Sequence, residues 1–285
     1  MTLLFNGKPL TGLETIEDSI YVPDFLKQIG FDHSEVLKEI EQKTQYVPRS
    51  AKEMLYRGHQ LARDKFFLIK SQVNAEGQPE VLYKYRYPGF QYASLLHHKS
   101  VETVPAIAKI MSVIEESLMY NSESIRSNAV IGTRYHQPSD HIGYHSDKTY
   151  DLVENSPILG LTFGDVRELH LAYGDSSQPA KIFVTEPGSL FLLGPETNKK
   201  MKHSIVKVSE EKVIKRTQPA QPRVSLVMRA IKTELSLQQV KKKIKVPALV
   251  NKTATPNLVP KIPLQLRPST QATKIPLKLK QTEDA

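Results

Sequence analysis

The sequence predicts an α+β chain whose core is a double-sheet jelly roll or barrel, and three observations carry that reading. From Asn128 to Arg229 the chain breaks into eight short segments, SNAVIGTRY, HIGYHSD, ILGLTFG, RELHLAY, KIFVTE, GSLFLLG, HSIVKV and RVSLVMR, punctuated by Gly, Pro, Asn and Asp. Short strands in series without intervening helices fold as two packed sheets. Upstream, two segments have helical periodicity. Beyond about Leu235 the chain turns to Lys and Pro with no aromatic residue, a composition that cannot build a core and predicts a disordered tail.

The elements follow in order. Met1 to Pro23 reads as short and irregular, with IYVPDFL feeding a helix from about Asp24. Phe31 to Gln45 carries Phe31, Val36, Leu37 and Ile40 on a charged background, one amphipathic helix. After the break at Pro48, Arg49, Lys52, Arg57, His59, Arg63 and Lys65 form a cationic, loop-rich stretch, either a solvated surface or a set of phosphate contacts. FFLIK and EVLYKYRYPGFQY read as strands, the second with Tyr83, Tyr85 and Tyr87 on one face and Arg86 opposite. Val101 to Tyr120 places Val104, Ile107, Ala108, Met111, Ile114 and Leu118 on one stripe, a second scaffold helix. The expected organisation is a helical and lid region over residues 1–127, a jelly-roll core over 128–234 and the tail over 235–285.

With 285 residues and 39% hydrophobic content the chain can bury one large core or two small ones. The absence of cysteine excludes disulfides, thiolate metal sites and a cysteine nucleophile. No apolar run approaches the roughly 18 residues that span a membrane, and MTLLFNGKPL lacks a signal peptide's basic start and apolar core. A soluble, monomeric, intracellular protein of nucleus or cytoplasm is expected, without a membrane partner. The net charge of +9 is uneven: from Val240 on, nine Lys and one Arg face Glu283 and Asp284, giving +8 and leaving about +1 for the rest.

The chemistry concentrates in YHQPSDHIGYHSDK, Tyr135 to Lys148. His145 and Asp147, two residues apart, point to the same side of an extended strand, so two metal ligands can converge from one segment. His203 follows 58 residues later (203 − 145), in TNKKMKHSIVKV. Two imidazoles and one carboxylate with open positions form the facial triad of non-haem Fe(II) oxygenases. In PRVSLVMR, Arg223, Ser225, Val227 and Arg229 share one face of a strand, and Val224, Leu226 and Met228 the other. Two arginines on such a strand either meet an anion or run their heads to solvent. His136, His141 and His170 read as surface or satisfied core residues.

HxD, a distant His and then RxxxxxR resemble the signature of the AlkB family of Fe(II)- and 2-oxoglutarate-dependent dioxygenases, most closely its nucleic-acid repair branch. RYHQPSDHIGYHSD, SPILGLTFGDVREL, GSLFLLG and TNKKMKHS resemble the family's segments in order and spacing from Asn128 to Arg229. YVPDFL, VPR (Val47 to Arg49), YKYRYPG (Tyr83 to Gly89) and VPAIAKIM resemble its upstream segments. The resemblance implies a double-stranded β-helix (jelly roll) and Fe(II) held by His145, Asp147 and His203. It further implies 2-oxoglutarate salt-bridged by Arg223 with Arg229 in support, a phenol donated by Tyr135, and Ser225 and Thr133 among the cosubstrate contacts. Reaction with O2 would release succinate and CO2, and a hydroxylated N-methyl group would be lost as formaldehyde. Tyr85 and Tyr87 become candidates for stacking on a base, and Arg49 and Thr149 for substrate contact.

Two positions depart from the family pattern. Thr149 stands where repair members place an acidic base-reading residue, and Thr133 where an asparagine precedes the tyrosine. The implied partner is alkylated DNA or RNA. The repeated K-[VI]-P of the tail, at Lys245, Lys261 and Lys274, would bind nucleic acid, direct nuclear import or capture a protein partner. Two alternatives stay open: a 2-oxoglutarate-dependent hydroxylase or demethylase of a protein or small molecule, and a catalytically silent nucleic-acid-binding jelly roll.

Overall fold

The computed structural model describes residues 2–51, 54–56, 59–70, 72–73, 79–80, 98–174, 176, 178–208 and 221–232. Both the tail beyond Leu235 and the Tyr85 and Tyr87 face lie outside these residues.

The eight strands predicted from Asn128 to Arg229 and the FFLIK strand are present, and alternation explains how they pack; the predicted strand EVLYKYRYPGFQY lies outside the described residues apart from Glu80. The strands of the larger sheet are β1 (Glu14–Ile16), β2 (Ser19–Val22), β3 (Asp64–Ile69), β4 (His98–Ser100), β5 (Ala129–Tyr135), β7 (Ile158–Gly164), β10 (Leu190–Leu193) and β12 (Arg223–Arg229), arranged in the order β4-β3-β5-β12-β7-β10-β2-β1. Facing it is a sheet of β6 (Ile142–His145), β11 (Met201–Ile205), β8 (Arg167–Tyr173) and β9 (Lys181–Thr185), in the order β6-β11-β8-β9. Two such sheets, antiparallel throughout except for the parallel β4-β3 edge pair, form a jelly roll.

Each strand of the larger sheet has two faces with different partners. Val224, Leu226 and Met228 of β12, with Leu159, Leu161 and Phe163 of β7, join the outer core beneath helices α2 (His33–Lys43) and α3 (Pro105–Ser117). Val36 and Ile40 of α2 and Ile107, Ile110, Met111 and Ile114 of α3 supply the other half of that core. On the opposite face, Ile131, Phe191 and Leu193 meet Leu169, Leu171, Phe183 and Ile205 of the smaller sheet. Asp32 caps α2 by accepting from the main-chain N–H groups of Ser34 and Glu35.

Three expectations are corrected. The segment before Pro23 is not irregular: Ser19–Val22, buried on both faces, adds to the larger sheet beside β10. The helix expected from Asp24 is a single turn, α1 (Phe25–Gln28). The second scaffold helix is shorter at both ends, giving way at Leu118 to a strand that runs through Tyr120.

The β1-β2 turn also organises the site. Helix α4 (Pro195–Lys200) begins at Gly194 with no cap of its own, and Asp18 from that turn supplies one. Its Oδ2 accepts from the N–H of Glu196 at 2.8 Å and its Oδ1 from the N–H of Thr197 at 2.7 Å. Only glycine fits at 194, because a Cβ there would lie 2.2 Å from the Asp18 carboxyl carbon. Asp18→Ala is expected to destabilise the fold by about 1–3 kcal/mol, the range for losing charge-assisted helix-capping bonds. Denaturant unfolding checks this; a loss under about 0.5 kcal/mol, within ordinary surface substitutions, would contradict it.

Among the described residues no helix is long and apolar enough to cross a membrane.

Candidate metal and cosubstrate site

β6 and β11 are antiparallel neighbours, and their register sets His145 directly opposite His203, with a bulge between Ile142 and His145. Strand pairing thus closes the gap in sequence between the two histidines. Their rings lie 4.3 Å apart, centre to centre, tilted by 51°. Asp147 follows just past the end of β6, and one ligand atom from each of His145, Asp147 and His203 falls within 4.8 Å of the others. His145 Nδ1 lies 2.8 Å from the Gly143 carbonyl oxygen. As a hydrogen bond this contact places the proton on Nδ1 and leaves Nε2 as a lone-pair donor, 3.8 Å from Asp147 Oδ1. Two imidazole nitrogens and a carboxylate oxygen at this spacing can hold one borderline divalent ion with positions to spare.

The electrostatics suit that role. Burial pushes the His203 imidazole down to about 4, and the neighbouring His145 adds to the effect. Burial likewise lowers His145. It would raise Asp147, but Arg229, His203 and His145 outweigh it and bring the carboxyl down to about 2. At neutral pH all three groups are therefore in the form that binds a metal. The same shifts bear on stability. Below the ordinary histidine value of 6.5 the unfolded chain takes up protons that the fold refuses, so metal-free stability should fall as pH drops from 6.5 towards 4. His203 contributes to the loss over that window, and Asp147 extends it below 3.8. Denaturation of metal-free protein at pH 7 and pH 4.5 checks the sign; equal stabilities would contradict it.

Beside the triad, a cavity opens between the two sheets. Tyr135, Thr133, Ser225, Arg223 and Arg229 all line it, as do Arg63, Lys65 and Thr162. Register accounts for the grouping: Tyr135 is opposite Arg223 and Thr133 opposite Ser225 across β5-β12, and Thr162 is opposite Ser225 across β7-β12. Arg223 is 3% exposed, and its Nη2 donates to Thr162 Oγ1 at 3.2 Å. Its Nε and Nη1 are buried without a hydrogen-bond partner among the described residues. Its guanidinium sits 5.3 Å from the centre of the Tyr135 ring. Burial lowers the group to about 10, still charged at neutral pH. A buried cation with two unanswered donors is costly unless an anion meets it, and a carboxylate matches either edge that the guanidinium shares with Nη2. The resemblance assigned Arg229 to the cosubstrate; in the structure its Nη2 donates to Asp147 Oδ2 at 2.8 Å, leaving Oδ1 towards His145.

The substrate candidates are more scattered. Arg49 donates from Nη1 to both oxygens of the buried Asp140, at 3.0 and 3.3 Å, and from its backbone N–H to Asp64. Thr149 is exposed and borders a neighbouring depression that also touches Asp147. His136 and His170 have carboxylate neighbours in Asp64 and Glu168, and His141 Nδ1 lies beside the Ser139 carbonyl. The cationic stretch is corrected in part: Arg63 and Lys65 are 8% and 3% exposed and form part of the cavity wall. Lys65 lies on β3 opposite Thr133, so the strand turns it inward.

Two side chains had no signal in the sequence. Asn198 of α4 brackets the main chain of Asp147. Arg167 spans the carbonyls of Pro138, Asp140 and Val206 from one nitrogen and lies 5.9 Å from the Tyr135 ring.

Comparison with known proteins places this geometry. A 33% identical stretch of 85 residues relates 27% of the chain to 36% of the mouse (Mus musculus) DNA oxidative demethylase ALKBH2, so the match spans about a third of that relative. OsALKBH1 superposes with a TM-score of 0.44 at 14% identity, over 76% of this chain and 99% of that one. An oxidoreductase of the 2OG-Fe(II) oxygenase family from Burkholderia pseudomallei gives 0.43 at 12% identity, over 77% and 88%. The model of the 2OG-Fe(II) oxygenase superfamily matches residues 18–229, a span that holds the triad, both arginines and the strands that carry them. The chain belongs to the 2OG-Fe(II) oxygenase superfamily, a family of dioxygenases that use Fe(II), 2-oxoglutarate and O2.

Proposed function

We propose that the protein oxidatively removes alkyl groups from nucleic-acid bases. The observation that carries the choice of substrate is the 85-residue similarity to a DNA oxidative demethylase. In this reading His145, Asp147 and His203 hold the iron, and Arg223 receives the distal carboxylate of 2-oxoglutarate. When bound, Fe(II) and 2-oxoglutarate supply with O2 an oxidant strong enough to take hydrogen from an N-methyl group.

The protein's own groups prepare that step. Burial keeps both imidazoles neutral, so their lone pairs face the metal rather than protons. Arg229 holds Asp147 ionised through Oδ2. Arg223, braced by Thr162 and lying close to the Tyr135 ring, fixes the cosubstrate's far end, while Tyr135, Thr133 and Ser225 line its path. Ile131, Ile158, Leu169, Phe191 and Leu193 wall the cavity with apolar surface and exclude water. Residues 128–234 carry the ligands and cosubstrate contacts of this proposal, residues 1–127 add four strands of the larger sheet together with the covering helices, and 235–285 form a cationic arm that binds nucleic acid or a protein partner. Tyr85 and Tyr87 stack on the base, and Arg49 and Thr149 lie along the substrate path.

A second reading, oxidation of a protein or small molecule, draws on two observations. Arg49 is engaged by Asp140, and the chain before Val240 carries a net charge of only about +1, that is +9 less the tail's +8. Product analysis separates the readings. With Fe(II), 2-oxoglutarate and ascorbate, single- and double-stranded oligonucleotides bearing 1-methyladenine or 3-methylcytosine should release formaldehyde in step with succinate. Succinate without formaldehyde, or without dependence on the oligonucleotide, would reject nucleic-acid demethylation in favour of the second reading.

A further inference from the structure

Of the three proposed ligands, His145 and His203 sit in paired strands and Asp147 does not. β6 ends at His145, so no ladder holds the main chain of Asp147. Asn198 supplies what the ladder lacks. Its Oδ1 accepts from the Asp147 N–H at 2.8 Å, and its Nδ2 donates to the Asp147 carbonyl at 2.9 Å. A main-chain N–H can only donate and a carbonyl only accept, so the carboxamide has a single productive orientation. Asn198 is 6% exposed, and a carboxamide buried to that degree is tolerated because both of its ends are bonded.

The residue's place in the fold gives this contact its meaning. Asn198 belongs to α4, which runs directly into β11 and His203. The start of α4 is held by Asp18, and Ser146 Oγ donates to the Met201 carbonyl at 3.0 Å, a second tie between the two ligand-bearing segments. Asp147 is thus held by its main chain through Asn198 and by its carboxylate through Arg229. Without the first hold, the carboxylate can follow Arg229 away from the imidazoles.

We infer that Asn198 is a positioning residue for the metal site, setting the separation between the His145-Asp147 segment and the strand that carries His203. The inference rests on the assignment of those three residues as ligands. Residues that orient metal ligands typically contribute about 10–100-fold to metal affinity. A purely structural hydrogen bond would lower the melting temperature of the metal-free protein and leave affinity for metal unchanged.

The test is calorimetric titration of Co(II) into metal-free wild-type protein, His145→Ala, Asn198→Ala and Asn198→Asp, with melting temperatures taken before and after metal. Asn198→Asp keeps an acceptor for the Asp147 N–H and loses the donor to its carbonyl, so it decides the matter if the alanine variant does not fold. Wild-type protein should bind one equivalent, and the Asn198 variants should bind about 10–100-fold more weakly with a smaller metal-induced rise in melting temperature. A folded Asn198 variant with wild-type affinity, its deficit confined to metal-free melting, would overturn the inference. Wild-type affinity in His145→Ala would overturn the ligand assignment, and the inference with it.

Discussion

Replacing His145 by alanine is expected to abolish 2-oxoglutarate turnover while leaving the fold intact. Orienting residues around a metal are worth about 10–100-fold. A direct ligand should exceed that range, so a loss beyond ~100-fold is the expected result for His145→Ala, Asp147→Ala and His203→Ala alike. The fold should survive because both histidines are half-buried at the cavity edge rather than in the apolar clusters. Asp147→Ala carries a second consequence: it leaves Arg229, 5% exposed, without the carboxylate that its Nη2 contacts. That variant should lose stability as well, by about 1.5–3 kcal/mol for the loss of this charge-assisted bond. Succinate production with parallel denaturant unfolding checks both. Residual turnover above one-tenth of wild type in any of the three would contradict the ligand assignment.

Arg223 should differ from Asp147, with a large functional loss at little cost in stability. Its Nε and Nη1 are desolvated with no partner among the described residues. Charge-assisted bonds of this kind are worth about 1.5–3 kcal/mol each. Arg223→Met should therefore raise the apparent KM for 2-oxoglutarate about 100-fold or more. Arg223→Lys should rescue it poorly, since an ammonium cannot match a carboxylate with a planar fork. The Met variant without cosubstrate should be no less stable than wild type, because a buried cation short of partners has been replaced by an apolar chain of similar length. The stabilisation that 2-oxoglutarate confers on wild type should vanish in it. A Met variant with unchanged KM would remove Arg223 from the cosubstrate site.

How much of this was legible in the sequence depends on the range of the contact that defines each residue. The alternation of Arg223, Ser225, Val227 and Arg229 against Val224, Leu226 and Met228 is a local period-two signal, and the strand divides them between the cavity and the outer core. The spacing of His145 and Asp147 is local too. Ser19–Val22 escaped notice because four residues buried on both faces show no alternation to read. Arg63 and Lys65 read as surface because charge in a polar stretch usually is, and only the pairing of Lys65 with Thr133 turns it inward. The clamp of Asn198 on Asp147 joins residues 51 apart and follows no periodicity. The partner of Arg229 could not be read either, since either anion satisfies an arginine on that strand face.

His145, Asp147, His203 and Arg223 should together form one site for Fe(II) and 2-oxoglutarate. Anaerobic titration of Fe(II) into metal-free protein with 2-oxoglutarate present, followed by visible charge-transfer absorption, tests it most directly. The band should saturate at one equivalent of iron, be absent in His145→Ala and need far more 2-oxoglutarate in Arg223→Met. A band of unchanged strength in His145→Ala, or none in the wild-type protein, would contradict that site assignment.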